Sequence, residues 1–180
     1  MKIATFNVNN INRRLPNLLQ WLKSARPDIA CLQELKSTDA HFPIHAIEKA
    51  GYRAVWQGEK TWNGVAILSR DGEPIVTRRA LPGDSDDWQS RYLEAAVNGM
   101  LIGCVYLPNG NPQPGPKFDY KLARFKSWRT MPSGSYPKAF PLFSPVTTTL
   151  PRLNRTSIKL IPGTMTLWCS LRVVPHTENC

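Results

Sequence analysis

Apolar residues recur at two different periods along the first two thirds of the chain, and the switches between periods mark its elements. Lys2–Asn10 (KIATFNVNN) alternates as a strand does and ends with three amides, Asn7, Asn9 and Asn10. Leu15, Leu18, Leu19 and Leu22 then recur at helical spacing, with Pro16 tolerated in the first turn. Asp28 opens the next run, Ile29-Ala30-Cys31-Leu32, which is continuously apolar, like an interior strand of a covered sheet, and Gln33-Glu34 follow. Strand, helix, strand over about thirty residues predicts a βαβ unit with parallel strands. Further on, a helix is predicted over Ile44–Ala50 and strands over Tyr52–Trp56, Gly64–Ser69 and Glu73–Arg78. Tyr92–Asn98 and Met100–Tyr106 flank Asn98-Gly99, a favoured two-residue hairpin turn.

Ligands of such sheets bind beyond the carboxyl ends of the strands, where both Asn7 and Glu34 are expected. A Glu leaving the core on a buried strand costs desolvation unless something positive meets it. A hard divalent cation is one candidate, since Mg²⁺ takes oxygen ligands and few protein carboxylates; a neighbouring Lys is the other. Asn7 can orient a metal or its water through the amide oxygen, although Asn at a strand end is more often a turn former.

Thr5-Phe6-Asn7-Val8-Asn9, Leu32-Gln33-Glu34 and Asn63-Gly64-Val65-Ala66-Ile67-Leu68-Ser69-Arg70 together resemble the exonuclease III branch of the endonuclease/exonuclease/phosphatase superfamily. Arg91-Tyr92-Leu93-Glu94-Ala95, Val105-Tyr106-Leu107-Pro108-Asn109-Gly110 and Lys117-Phe118-Asp119-Tyr120-Lys121-Leu122 extend the likeness to about residue 126. The resemblance implies an α/β fold, the N-terminal half of a four-layer α/β sandwich with two mixed β-sheets flanked by helices. As half a sandwich, the strands at Ala30–Leu32, Val65–Leu68 and Leu101–Val105 are expected to expose a continuous apolar face.

The implied function is that of a Mg²⁺-dependent DNA-repair hydrolase, with Mn²⁺ as a substitute metal. Its substrates would be duplex DNA, abasic sites and 3′ ends, attacked as 3′-to-5′ exonuclease, abasic-site endonuclease and 3′-phosphatase. By resemblance Glu34 is the principal metal ligand, Asn7 its companion and Asn9 a secondary candidate. Tyr106 is the catalytic donor to the scissile phosphate or leaving oxygen; unaided, a Tyr with its ring in the core and its OH at the rim is the blander reading. Asn109 and Arg91 would contact DNA phosphate, against turn chemistry for the first and a strand-edge ion pair for the second. Lys60, Trp62 and Asn63 form a loop able to grip a DNA backbone or sugar, or simply a solvated hairpin loop. A lipid or inositol-phosphate phosphodiesterase branch is the alternative enzyme; a non-catalytic DNA-binding remnant is the alternative of another class.

A chain of 180 residues suits one domain. It contains no apolar run long enough for a transmembrane helix, and a strand pattern starts at once, where a signal peptide would otherwise be sought. Cys31 and Cys104 lie in apolar strands, and Cys169 and Cys180 have no motif spacing, so neither a disulfide framework nor a zinc site is expected. A cytoplasmic protein, monomeric in its intact relatives and without a membrane partner, fits these features. The net charge of +10 suits a polyanionic partner. It divides evenly: residues 1–128 hold 17 Lys/Arg and 12 Asp/Glu, residues 129–180 hold 6 and 1.

After Trp128 the patterning fails. Residues 129–180 carry seven Pro, thirteen Ser/Thr and one acid, Glu178. A disordered basic arm is one reading; a shifted reading frame is the better one. Joining the last base of each codon to the first two of the next allows Pro141–Thr149 (PLFSPVTTT) to encode PVVLAGDYN, and Ile161–Arg172 to encode YTWDDDALVQPE. Both resemble the family's continuation, where Gly-Asp-x-Asn supplies catalytic groups. The expected domains are therefore 1–128, a partial endonuclease/exonuclease/phosphatase domain, and 129–180, an irregular frameshifted tail. In this frame the family's later Asp, Asn and His have no counterparts, and His176 in Val-Pro-His-Thr does not match the catalytic context.

Overall fold

The computed structural model describes residues 1–81, 88–129 and 168–173. Strand β1 (Ile3–Asn7) leads to helix α1 (Leu15–Ala25) and strand β2 (Ile29–Gln33). Helix α2 (Ile44–Lys49), β3 (Arg53–Gln57), β4 (Val65–Ser69) and β5 (Ile75–Arg78) follow. The hairpin of β6 (Tyr92–Val97) and β7 (Met100–Val105) precedes helix α3 (Pro116–Arg129), and β8 (Trp168–Val173) is the last described element.

Helix α1 carries Pro16 in its first turn and ends where Arg26 turns left-handed, its N–H bonding to the Leu22 carbonyl. Strand β2 is buried along its whole length, as its unbroken apolar run requires. It pairs in parallel with β1 and antiparallel with β4, giving a mixed sheet in the order β1-β2-β4-β3. The second sheet, β5-β6-β7-β8, is antiparallel at each pairing. The resemblance led to an expectation of mixed pairing in both sheets. Among the described residues the second differs because β6 and β7 are joined by a tight turn, which forces opposite directions. Asn98 at φ 49° and Gly99 at φ 73° supply the two left-handed residues of that turn.

The first sheet has two apolar faces. One packs on the helices, through Ala30, Leu32, Ala66 and Leu68 against Leu18 and Leu22 of α1 and Ile47 of α2. The other meets the second sheet, where Ile29, Cys31, Val65 and Ile67 pack on Leu93, Ala95, Ile102 and Cys104. The apolar face expected to lie bare is therefore covered, because each sheet of the sandwich receives strands from this part of the chain. The half-sandwich is half along the sequence and not half across the layers. Both buried cysteines are free thiols, as their apolar runs suggest. Through this seam runs one polar thread: Gln33 Nε2 donates to Thr5 Oγ1 at 3.0 Å and to Cys104 Sγ at 3.4 Å, and that thiol reaches the Leu32 carbonyl at 3.4 Å.

Of the tail, only β8 is described, paired antiparallel from Met100↔Val173 to Val105↔Trp168. No strand stands out there in the sequence, because Trp168–Val173 (WCSLRV) holds one aromatic and one β-branched residue among surrounding Pro and Ser/Thr. The backbone of β8 satisfies the outer edge of β7. The rest of 130–180 lies outside the described residues.

Two glycines separate conformational strain from steric conflict. Gly99, at φ +73°, has open space where a Cβ would go, whereas at Gly64, φ +86°, a Cβ would stand 2.8 Å from Leu35 Cβ. Gly99→Ala should cost about 1 kcal/mol for the left-handed backbone alone. Gly64→Ala should cost roughly 1–3 kcal/mol more, because Leu35 is wholly buried and cannot retreat. Denaturant melts of both variants check this; equal losses would show that Leu35 yields.

Candidate active site

The end of β2 sets the site. Glu34 follows directly, and its φ of 55° is left-handed, a region that costs a non-glycine residue about 1–2 kcal/mol. Backbone bonds hold it there: Asn10 N–H donates to the Glu34 carbonyl at 2.9 Å, Ile11 N–H to that of Leu35 at 2.9 Å, and Lys36 N–H to that of Asn63 at 3.0 Å. Asn9, Asn10, Lys36 and Asn63 are left-handed as well. Such clustering of unfavourable backbone is a mark of functional sites.

The Glu34 carboxylate is met from three sides. Tyr106, just past β7 in the other sheet, donates its hydroxyl to Oε1 at 2.5 Å. Lys36 Nζ stands 3.3 Å from Oε2 and 2.7 Å from Asn9 Oδ1, which accepts from it. The side chain of Asn7, at the end of β1, completes the set. Burial would raise the Glu34 carboxyl, but hydrogen bonds from Tyr106, Asn7 and Lys36 and the Lys36 charge outweigh it, holding it below the usual carboxylate range. The Tyr106 hydroxyl moves the opposite way: burial, then the hydrogen bond to Glu34 and the charge of Glu34, push it well up, with Arg91 opposing. It is a donor throughout the neutral range.

These groups line a cleft of about 460 Å³ whose other walls include Arg91, Asn109, Lys117, Tyr120, Trp62 and Asn63. Arg91 lies with its guanidinium carbon 4.9 Å from the centre of the Tyr106 ring and donates Nε to Gln89 at 2.6 Å. Burial lowers its pKa from the very high ordinary value, with Tyr120, Tyr106 and Glu59 opposing. Trp62 is 64% exposed, with Lys36 Nζ 5.5 Å from its ring centre. Asn109 is exposed at the rim, its carbonyl 3.4 Å from Lys121 Nζ.

The structure thus brings together Glu34, Asn7, Asn9 and Tyr106, and places Arg91, Asn109, Trp62 and Asn63 on the same cleft. Lys60 is exposed and is not among the residues lining it. Sequence reasoning assigned no site role to Lys36, Gln89, Lys117 and Tyr120. Lys36 lies two residues past Glu34, so its proximity was available.

The donor set suits a hard cation. Glu34 supplies an ionised carboxylate, and Mg²⁺ asks for one or two carboxylates with water filling the rest. Asn7 turns its amide nitrogen to that carboxylate while its Oδ1 accepts from the Asn9 N–H at 3.1 Å, so its amide would have to turn over to offer oxygen to a cation. Among the described residues no three His, Cys, Asp or Glu converge.

Helices on a mixed sheet that is stacked in turn on an antiparallel one form part of an α/β sandwich, with Tyr106 and Glu34 joined where the two sheets meet. Residues 4–137 match the Endonuclease/Exonuclease/phosphatase family, and the chain belongs to it. Exodeoxyribonuclease III of Haemophilus influenzae is 38% identical over 114 residues, 61% of this chain and 42% of that protein. The 3′-5′ exonuclease NExo from Neisseria meningitidis superposes with a TM-score of 0.69 at 43% identity, covering 73% of this chain and 51% of that one. A Neisseria NExo structure described as a 3′ phosphatase bound to product DNA hairpin gives 0.67 at 41%, over 73% and 51%. The chain spans about half the length of these relatives.

The depressed Glu34 carboxyl makes a pH prediction. Its stabilisation is fully present above the unfolded value, near the ordinary 4.5, and is lost as pH falls through the lower folded value. From about pH 5 downward the native chain should therefore lose stability faster than Glu34→Gln, which has no carboxylate to protonate. Parallel denaturation curves of the two across that range would refute the assignment.

Proposed function

We propose that the chain carries the DNA-binding and first metal-ligating half of an exodeoxyribonuclease III-type DNA-repair phosphodiesterase. The observation that supports this most is the Glu34 carboxylate, kept ionised at the mouth of a cationic cleft, with Tyr106 reaching it from the opposite sheet. Glu34 and Asn7 would hold Mg²⁺, or Mn²⁺ in its place, and Asn9 would steady the loop beside them through Lys36. When bound, such a metal serves as Lewis acid on the phosphate and stabilises the departing oxygen. Tyr106, raised in pKa and so protonated, donates a hydrogen bond to a phosphate oxygen once released from Glu34. Arg91, Lys117 and Asn109 meet backbone phosphates along the cleft, and exposed Trp62 offers a stacking face. Lys60 contributes charge from outside the cleft.

The substrates proposed for the whole enzyme are duplex DNA, abasic sites and 3′ ends. A relative bound to a product DNA hairpin supports that choice over a lipid or inositol phosphate. The 180-residue chain itself would bind DNA without efficient turnover, since residues 129–180 in the frame given contain no match for the family's later Asp, Asn and His. The proposed cause is a shifted frame in that segment. β8 qualifies this, because part of the segment forms a strand as it stands. Resequencing the coding DNA across codons 124–132 tests it directly.

Purified 180-residue protein should bind hairpin DNA with an affinity that falls steeply with salt. EDTA-sensitive cleavage should be at least about a thousandfold below that of an in-frame homologue, the equivalent of ~4 kcal/mol of lost transition-state stabilisation. Mn²⁺ binding followed by electron paramagnetic resonance should be detectable in the native chain and abolished by Glu34→Gln. Robust cleavage would overturn the half-site reading, and unchanged Mn²⁺ binding would overturn the role of Glu34.

A further inference from the structure

Glu59, in the loop between β3 and β4, has no part in the site as described, yet its carboxylate is fully engaged. Asn63 Nδ2 donates to Oε1 and to Oε2, both at 2.9 Å, and the Ser90 backbone N–H donates to Oε2 at 2.9 Å. An ionised carboxylate only accepts. The Asn63 amide must therefore turn its nitrogen to Glu59, and its Oδ1 is left with no partner among the described residues. The backbone holds the arrangement in place: Lys36 N–H donates to the Asn63 carbonyl at 3.0 Å and Gly64 N–H to that of Ser90 at 2.9 Å. Asn63 is 4% exposed and lines the cleft. The other side-chain acceptors on the cleft are engaged within the protein, Glu34 by Tyr106 and Lys36, Gln89 Oε1 by Arg91 and Asn109 Oδ1 by Asn111, which sets Asn63 Oδ1 apart from them.

We propose that Glu59 is a positioning residue that presets Asn63 Oδ1 as a hydrogen-bond acceptor, making Asn63 a specificity contact for a donor on the nucleic acid. This rests on the DNA-binding reading above. It refines that reading, because phosphodiester oxygens only accept and cannot satisfy Oδ1; Asn63 is then no backbone-phosphate contact. Undamaged duplex DNA phosphorylated at its 5′ end offers two donors of the required kind outside the major groove. One is the guanine N2 amine, the donor that the minor groove displays. The other is the hydroxyl of a 3′ end.

Three hairpin DNAs distinguish the two: a native one, one with inosine replacing every guanine, and one with a 3′-deoxy terminus. Fluorescence anisotropy with the full chain should show a loss of about threefold to tenfold, the worth of one hydrogen bond, on one of the two altered DNAs. Loss with inosine identifies the amine, and loss with the 3′-deoxy end identifies the hydroxyl. In Glu59→Gln the new side chain can keep the Ser90 bond with its oxygen, which sets its NH₂ against Asn63 and turns that amide over. The discrimination should then vanish while affinity for the native hairpin holds or rises, as an NH₂ now faces the cleft and one negative charge is gone. A folding defect alone would instead weaken binding to all three DNAs. Equal binding of all three by the native chain would overturn the proposal, and discrimination retained in Glu59→Gln would overturn the role of Glu59. Absence of binding to any of them would overturn the DNA reading, and this contact with it.

Discussion

A carboxylate at the exit of a fully buried strand is the constraint on which the rest of the structure depends. Glu34 cannot stay ionised there without donors, and no single element can supply them. Asn7 comes from the parallel neighbour β1, Lys36 from the chain immediately beyond, and Tyr106 from the other sheet. The Tyr106 hydrogen bond therefore ties the two sheets at the site, as the apolar seam ties them beneath it. Removing an apolar pair from the seam would cost packing energy; removing Tyr106 would take away the leading hydrogen bond that keeps Glu34 ionised at the point where the sheets meet.

The loops around the carboxylate show the same economy of position. Glu34 and four residues near it adopt left-handed backbone, and backbone bonds tie Asn10 to Glu34 and Lys36 to Asn63. The segment 34–36 leans on 63–64, which leans on Ser90, which is tied in turn to Glu59 and Gly58. Displacing one member shifts the others, so residues that never touch a substrate can still set the shape of the cleft. Asp28 performs a comparable service at the far end of the sheet. It accepts from the Lys2 backbone N–H and from Arg70, and the Lys2 bond leads the causes that keep its carboxyl low.

Much of this was legible in the residues. The 3.6-residue rhythm of Leu15, Leu18 and Leu22 gives α1, the unbroken run at 29–32 gives β2, and Asn98-Gly99 gives the hairpin, each because one local rule dominates there. The meeting of Asn7 and Glu34 followed from parallel pairing alone. Four features were hidden. The pairing of Tyr106 with Glu34 depends on how two sheets stack, which no periodicity encodes. The left-handed conformation of Glu34 contradicts its intrinsic preference and is imposed by tertiary bonds. Helix α3 is largely polar, and β8 sits among prolines, so neither carried a readable stripe.

The polar thread between the sheets has a consequence of its own. Apolar side chains pack almost as well after a small slide, so grease alone leaves two stacked sheets free to drift in alignment. Gln33 does not allow this, since its amide finds Thr5 and the Cys104 sulfur in one placement only. Moved along by a residue, the same amide would be stranded in hydrocarbon at a cost of roughly 1–3 kcal/mol. Gln33 thus acts as an index pin. It adds little to how tightly the layers adhere, but it determines that Glu34, the very next residue, arrives opposite Tyr106 and nowhere else.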